Sequence, residues 1–156
     1  MGNYTNLEFD FIERTITLIE QYTALIQDKH FSEQLNYTLT INCLLGLVVM
    51  PKERAITYIS NEKLSPENLL RMGLIDSRVD SSITTLRDLI KHLRHAIAHF
   101  SIEIISECDR NLIDFITFKG TLNQPQVIAN FRAQEILPFL QYYANNLLGN
   151  MKKHRT

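Results

Sequence analysis

Apolar positions recur three, four or seven apart from about Leu7 to Lys29, at Leu7, Phe11, Leu18, Tyr22 and Leu25. This is the spacing of one amphipathic helix. A second helix is expected from near Ser32, whose hydroxyl can cap the first turn, to Met50. Its second half, INCLLGLVVM, is apolar nearly all round, which predicts burial on more than one side, with Gly46 admitting a close neighbour. Pro51 lacks an amide proton and turns Met50 away from helix, so the helix stops there. Residues 51–64 show no clear period. Ser65-Pro66-Glu67 then reads as cap, first-turn proline and first-turn acid of a short helix stopped by Gly73. Ser81 or Ser82 is expected to cap a third long helix running to about His99.

Beyond His99 the period changes. SIEIISE and NLIDFITFK are rich in β-branched and aromatic residues, and the polar break from Glu107 to Arg110 lies between them, so a β-hairpin is expected. VIANF, Val127 to Phe131, adds a candidate third strand. The last helix runs from about Ala133 to Asn150, with Pro138 expected to kink it or delay its start. The resulting fold class is mainly α: an antiparallel four-helix bundle with a small β-hairpin inserted between the third and fourth helices.

Size and composition leave that picture standing. A chain of 156 residues, 45% hydrophobic and 21% charged, builds one domain and is not disordered. The domain is expected over residues 1–150, followed by a frayed basic tail, 151–156. A net charge of −1 excludes a globally basic nucleic-acid coat but leaves room for a local basic patch. Two cysteines cannot make a disulfide scaffold or a Cys-rich zinc site. The apolar run Ile41–Met50 is half a membrane span, and the N-terminus carries early acids rather than a signal pattern. Gly2 followed by Asn3, Tyr4 and Thr5 only weakly echoes a myristoylation signal. The expectation is a cytoplasmic protein without membrane contact.

The chemistry concentrates on the third helix, TLRDLIKHLRHAIAHF. With Leu86 at zero and about 100° per residue, Leu86, Ile90, Leu93, Ile97 and Phe100 form one stripe, with Leu89 at its edge. That stripe is the core face. His92, His95 and His99 fall opposite it, at about 240°, 180° and 220°. Arg87, Lys91 and Arg94 occupy the arc from about 80° to 140° between the two faces. The plainest reading is a solvated polar face. A second is metal, since His95 and His99 have the i, i+4 spacing that lets two imidazoles share an ion. One helix does not aim three imidazoles at one tetrahedral centre, so a further ligand would have to come from elsewhere.

A third reading is phosphate chemistry. RNA cleavage needs a base for the 2′-OH, an acid for the leaving 5′-oxygen and positive charge for the crowded phosphorus. Histidine suits the proton work because imidazoles titrate near working pH. Arginine suits the phosphate because its fork is permanently charged and bidentate. Arg94 and His99 are five apart near the helix end. One chain supplies only one such histidine, so acid and base together call for two copies meeting across a twofold axis.

LRHAIAHF, Leu93 to Phe100, resembles the R-x4–6-H motif of the HEPN superfamily, which ends the third helix of a four-helix bundle. INCLLGLVVMPKER is similar to the buried second helix of plasmid- and phage-associated bacterial members. The resemblance implies a metal-independent endoribonuclease without cofactor, its site composed of two motifs facing each other in a homodimer. By that resemblance Arg94 binds phosphate, His99 does acid–base work and His95 is the polar helper. It also implies an RNA substrate and, for a toxin or antiphage effector, an antitoxin protein as a further partner. A second match, Arg87 to His92, lies one heptad earlier. Arg94–His99 is preferred because a groove opens at the helix end and small Ala96 and Ala98 permit close approach; Lys91, Arg87 and His92 are then substrate-binding candidates or surface. Where one branch of the superfamily carries a nucleotidylated tyrosine two positions after the histidine, this chain has Ser101, which puts that control in doubt.

No Gly-rich phosphate loop, CxxC pair, HExxH or GxSxG is present. Cys43 reads as a buried packing residue, Cys108 as a turn thiol, and Tyr142 and Tyr143 as packing residues. Two alternatives to the nuclease remain at this point. One is a non-catalytic HEPN-type module that binds a nucleotide or a protein partner and dimerises. The other is a His-rich metal-binding bundle.

Overall fold

A computed structural model describes residues 4–30, 33, 36–51, 53–107, 113–120 and 125–154. The chain is mainly helical, with one small antiparallel sheet. Its elements are α1 (Leu7–Ile26), α2 (Asn36–Leu44) continued by a π-helical turn (Leu45–Val49), α3 (Glu53–Ile56), α4 (Pro66–Arg71), β1 (Arg78–Val79), α5 (Leu86–Ala98), β2 (Ile102–Ile105), β3 (Phe115–Lys119), β4 (Val127–Arg132) and α6 (Ala133–Lys153).

Asn6 caps α1 by accepting from the Phe9 amide at 3.1 Å, and Asp10 reaches back to the amides of Thr5 and Asn6. The face that α1 buries is not the expected one. Phe9, Ile12, Ile16 and Ile19 go inside against α6, whereas Leu7, Leu18 and Leu25 are exposed. The helix carries two apolar rows, and the row spaced 3, 4, 3 is the one its neighbour covers. The proposed Ser32 cap lies outside the described residues. α2 ends as expected before Pro51, but through a π turn closed by the Met50 amide on the Leu45 carbonyl at 3.2 Å.

Gly46 does admit a close neighbour. A Cβ there would stand 3.0 Å from the tip of the Phe11 ring. Gly46→Leu is therefore expected to cost about 1–3 kcal/mol by overpacking, read as a lower midpoint in urea unfolding; an unchanged midpoint would mean the α1–π contact is loose.

Ser65, Pro66 and Gly73 behave as the sequence indicated. Ser65 caps α4 and Gly73 takes the left-handed turn beyond it, at φ +84°. The Pro138 ring fills the space where a Gly73 Cβ would sit. Pro138 lies inside α6 and does not delay its start. α6 also runs further than expected, to Lys153, so residues 151–153 are helical rather than frayed. Lys152 lies over the Phe9 ring and His154 against Tyr58.

The expected hairpin is part of a larger sheet, in the order β1-β4-β3-β2. β2 and β3 pair antiparallel, and the candidate strand at VIANF is real and extends to Arg132 as β4. β1 comes from before α5, which the hairpin reading missed: two residues give no alternation to recognise. The four longest helical stretches are α1, α2 with its π turn, α5 and α6. α6 contacts α1 and α2, the π turn contacts α5, β3 lies on α5, and β4 lies on both α5 and α6. Phe118, Phe131 and Phe139 stack edge to face where sheet meets α6.

Candidate active site at the end of α5

α5 is anchored at its start by Thr85, not by Ser81 or Ser82. The Thr85 hydroxyl accepts from the Asp88 amide at 3.2 Å and donates to the Asp88 carboxylate at 2.7 Å. Ser82 is held instead in a turn by Asp80. Leu86, Leu89, Ile90, Leu93, Ala96 and Ile97 are buried, so the core stripe forms as the spacing dictates. Ala96 thus packs inward, while Ala98 is open to solvent.

Phe100 breaks the stripe. The helix closes with the Phe100 amide on the Ile97 carbonyl at 3.1 Å and the Ser101 amide on the Ala96 carbonyl at 2.8 Å. This is the paired closure that places its turning residue in the left-handed region, a position that favours glycine. Here that residue is Phe100, at φ +54°, a conformation that costs an L side chain roughly 1–2 kcal/mol. The turn swings the ring off the core face and leaves it 85% exposed. Helical projection stops where the helix stops, which is why the stripe could not foresee it.

The polar face divides into two flanks. Arg87 and Arg94 lean toward the segment between α2 and α4. Arg87 donates through Nε and Nη2 to the Ile59 carbonyl, at 2.9 and 2.6 Å, and through Nη2 to the Thr57 carbonyl at 3.1 Å. It therefore holds the loop after α3. Arg94 is half-buried and donates to the Pro51 carbonyl, just beyond the π turn. Its charge is also felt by Tyr143: burial holds that phenol well above its usual range, and Arg94 pulls it partly back.

The histidines take the other flank. The rings of His95 and His99 lie 4.3 Å apart, tilted by 52°. His99 is exposed and His95 half-buried. The His92 Nδ1 stands 2.7 Å from the Asp88 carbonyl, and a carbonyl only accepts, so that nitrogen carries the proton. His92 is thereby tied to its own helix, about one turn before His95 and two before His99. Between the flanks lie exposed Lys91 and Ala98, at about 140° and 120°. The small Ala98 thus lies between Arg94 on one side and the His95–His99 pair on the other. Arg94 and His99 leave the helix about 140° apart, on either side of Ala98.

Among the described residues, no group of three or more His, Cys, Asp or Glu side chains is placed to share a metal ion, and no helix is long and apolar enough to cross a membrane. Cys43 is buried, and burial pushes its thiol up to about 11, which keeps it unreactive at neutral pH. Cys108 lies outside the described residues. Tyr143 is buried as expected, and the Tyr142 hydroxyl donates to Glu62 at 2.6 Å.

Two features escaped the sequence. One is an apolar groove beside the motif, lined by Ile41, Leu45, Ile97, Phe100, Ile102 and Ile104, of about 150 Å³. The other is Glu135, 9% exposed in the first turn of α6. Its carboxylate accepts from the amides of Ile75, Asp76 and Ser77 and from the Ser77 hydroxyl, at 2.6–3.0 Å. Burial pushes its carboxyl up, but the Ser77 hydroxyl and the three amides outweigh burial and hold it below its usual range. Its work is structural, fixing the loop between α4 and β1.

The family model described as HEPN pEK499 p136 matches residues 1–154. No curated protein and no solved structure matches the chain. HEPN domains are often ribonucleases or nucleotide-binding modules, and they commonly dimerise. With the family model spanning nearly the whole chain, the motif at the end of α5 has its context: the protein belongs to the HEPN pEK499 p136 family.

Proposed function

We propose that this chain is a metal-independent endoribonuclease that cuts RNA as a homodimer, its site assembled from the α5 ends of two copies. One observation carries the reading: at the end of α5 the half-buried Arg94, donating to the Pro51 carbonyl, and the His95–His99 ring pair lie on either side of exposed Ala98 on the helix surface. One His99 takes the proton of the 2′-OH, whose oxygen attacks phosphorus. The partner's His99 gives a proton to the departing 5′-oxygen. Arg94 binds the phosphate oxygens on which charge gathers, and His95 sets the orientation of the neighbouring ring. Cleavage leaves a 2′,3′-cyclic phosphate and a 5′-OH. Lys91 lies where it can meet the RNA backbone; Arg87 and His92, held by backbone carbonyls, support the site from behind. The reading includes a four-helix arrangement of α1, α2, α5 and α6 within one domain, a cytoplasmic location, and work as a toxin or antiphage effector held in check by an antitoxin protein.

The test is direct. Purified protein incubated with RNA in EDTA should produce fragments ending in cyclic phosphate. Absence of cleavage across structured and single-stranded RNAs would favour the second reading, a non-catalytic module that binds a nucleotide or a protein partner. Two observations lend that reading weight: the net charge of −1, and the engagement of Arg94 with the Pro51 carbonyl of its own chain.

A further inference from the structure

We infer that the two copies join through Phe100, each ring entering the apolar groove of the other between α2, the end of α5 and β2. The inference rests on the homodimer reading above and names the surface that would make it.

Three observations carry it. First, Phe100 is held outward by the backbone itself. A left-handed position that suits glycine is occupied by a large aromatic ring whose surface is 85% exposed, and the ring helps to close no core. Second, the knob stands beside a hole of matching size. The groove lined by Ile41, Leu45, Ile97, Ile102 and Ile104 holds about 150 Å³, and an apolar cavity of roughly that volume accepts a benzene ring. Phe100 forms the rim of its own groove, so the patch is complementary to itself under a twofold rotation, as a symmetric dimer interface requires. Third, the area fits. Phe100 is 85% exposed, Ile104 51%, Leu45 39% and Ile41 37%. At about 200 Å² for a full side chain, these present on the order of 400 Å² of apolar surface per copy. A standard interface buries about 800 Å² per partner, a little over half of it apolar. The low net charge means two copies meet with little repulsion.

This surface commits to a second copy of the chain. Since Phe100 follows His99 directly, a twofold axis near the Phe100 rings also draws the two His99 side chains into one neighbourhood.

The full chain should sediment as a dimer, and Phe100→Asp as a folded monomer with an unchanged far-UV circular dichroism spectrum. An interface anchor of this kind should weaken association by roughly 30-fold or more when lost. Ile104→Lys, on the other wall of the groove, should act the same way. Phe100→Gly is the sharper variant: it should weaken the dimer while leaving the monomer as stable as before or more so, because glycine suits the left-handed position. A dimer that survives Phe100→Asp and Ile104→Lys would overturn the Phe100 interface and leave the homodimer reading intact. A wild-type chain that stays monomeric at high micromolar concentration would overturn both, and would leave the groove to a different partner protein. A Phe100→Gly chain clearly less stable than wild type, both diluted until monomeric so that association adds nothing to either, would show the ring to be part of the fold, and would also overturn the inference.

Discussion

His99→Ala is expected to lower RNA cleavage by about 10²–10⁴-fold, the range that a positioned proton-transfer group supplies. The protein should stay folded, because the imidazole is exposed and caps the helix through its backbone amide, not its ring. The effect should fall on kcat, since the group acts on the reacting oxygens and not on the bulk of the RNA. Neighbouring substitutions separate chemistry from scaffold. Arg94→Lys keeps the charge but loses the planar fork, so cleavage should drop while some binding persists. Arg87→Ala should instead lose stability, because the Ile59 carbonyl would lose its donors. Single-turnover cleavage assays with urea unfolding in parallel read both. If His99→Ala cuts as fast as wild type, the chemistry lies elsewhere on the molecule.

The second large effect concerns Glu135, remote from the site. Glu135→Gln is expected to cost about 2–4 kcal/mol at pH 7, because a buried carboxylate that accepts four hydrogen bonds is replaced by an amide carrying donors of its own. The pH dependence follows from linkage. The folded state holds this carboxyl below its ordinary range, so the unfolded state binds the proton more readily. Its contribution is therefore complete at neutral pH and is lost as pH falls through the ordinary carboxylate range and below. The wild-type protein should lose stability steeply on acidification, and Glu135→Gln should lose less, the two curves converging at low pH. Parallel curves would mean that the carboxylate is not held as a charged acceptor.

How much of this was legible beforehand varies element by element. α5 could be read almost completely: its apolar stripe is unambiguous, its polar face is strongly charged, and burial followed the wheel from Leu86 to Ile97. The exact cap was not legible, because Ser81, Ser82 and Thr85 all offer a hydroxyl, and the choice fell to Thr85 through its bond with Asp88. α1 could be placed but its buried face could not, because two apolar rows compete and α6 decides between them. The second helix read as buried on several sides, and Thr40, Cys43, Leu44, Gly46, Leu47 and Val48 are; yet Ile41 and Leu45 remain partly open and form the groove.

The motif was legible as residue types and, on the helical wheel, as an Arg arc beside a His arc, but the partners of its arginines were not. Nothing in the spacing of Arg87 and Arg94 foretells that both turn toward carbonyls of the 51–59 segment. That outcome depends on where α2 ends, and the π turn that sets it leaves no recognisable pattern. Phe100 and Glu135 escaped for a shared reason. Each owes its character to a backbone event outside its own periodicity: a left-handed closure in one case, three converging amides from residues 75–77 in the other.

The most direct measurement uses mixed protomers. Wild-type chain and His99→Ala chain, co-refolded in varying ratio so that copies pair at random, can be assayed for RNA cleavage at constant total protein. If both copies of His99 serve one site, only wild-type pairs cut, and activity should fall as the square of the wild-type fraction, so an equal mixture retains about a quarter of full activity. A strictly linear fall, with half the activity left in an equal mixture, would show that each chain cuts alone and would contradict the composite site.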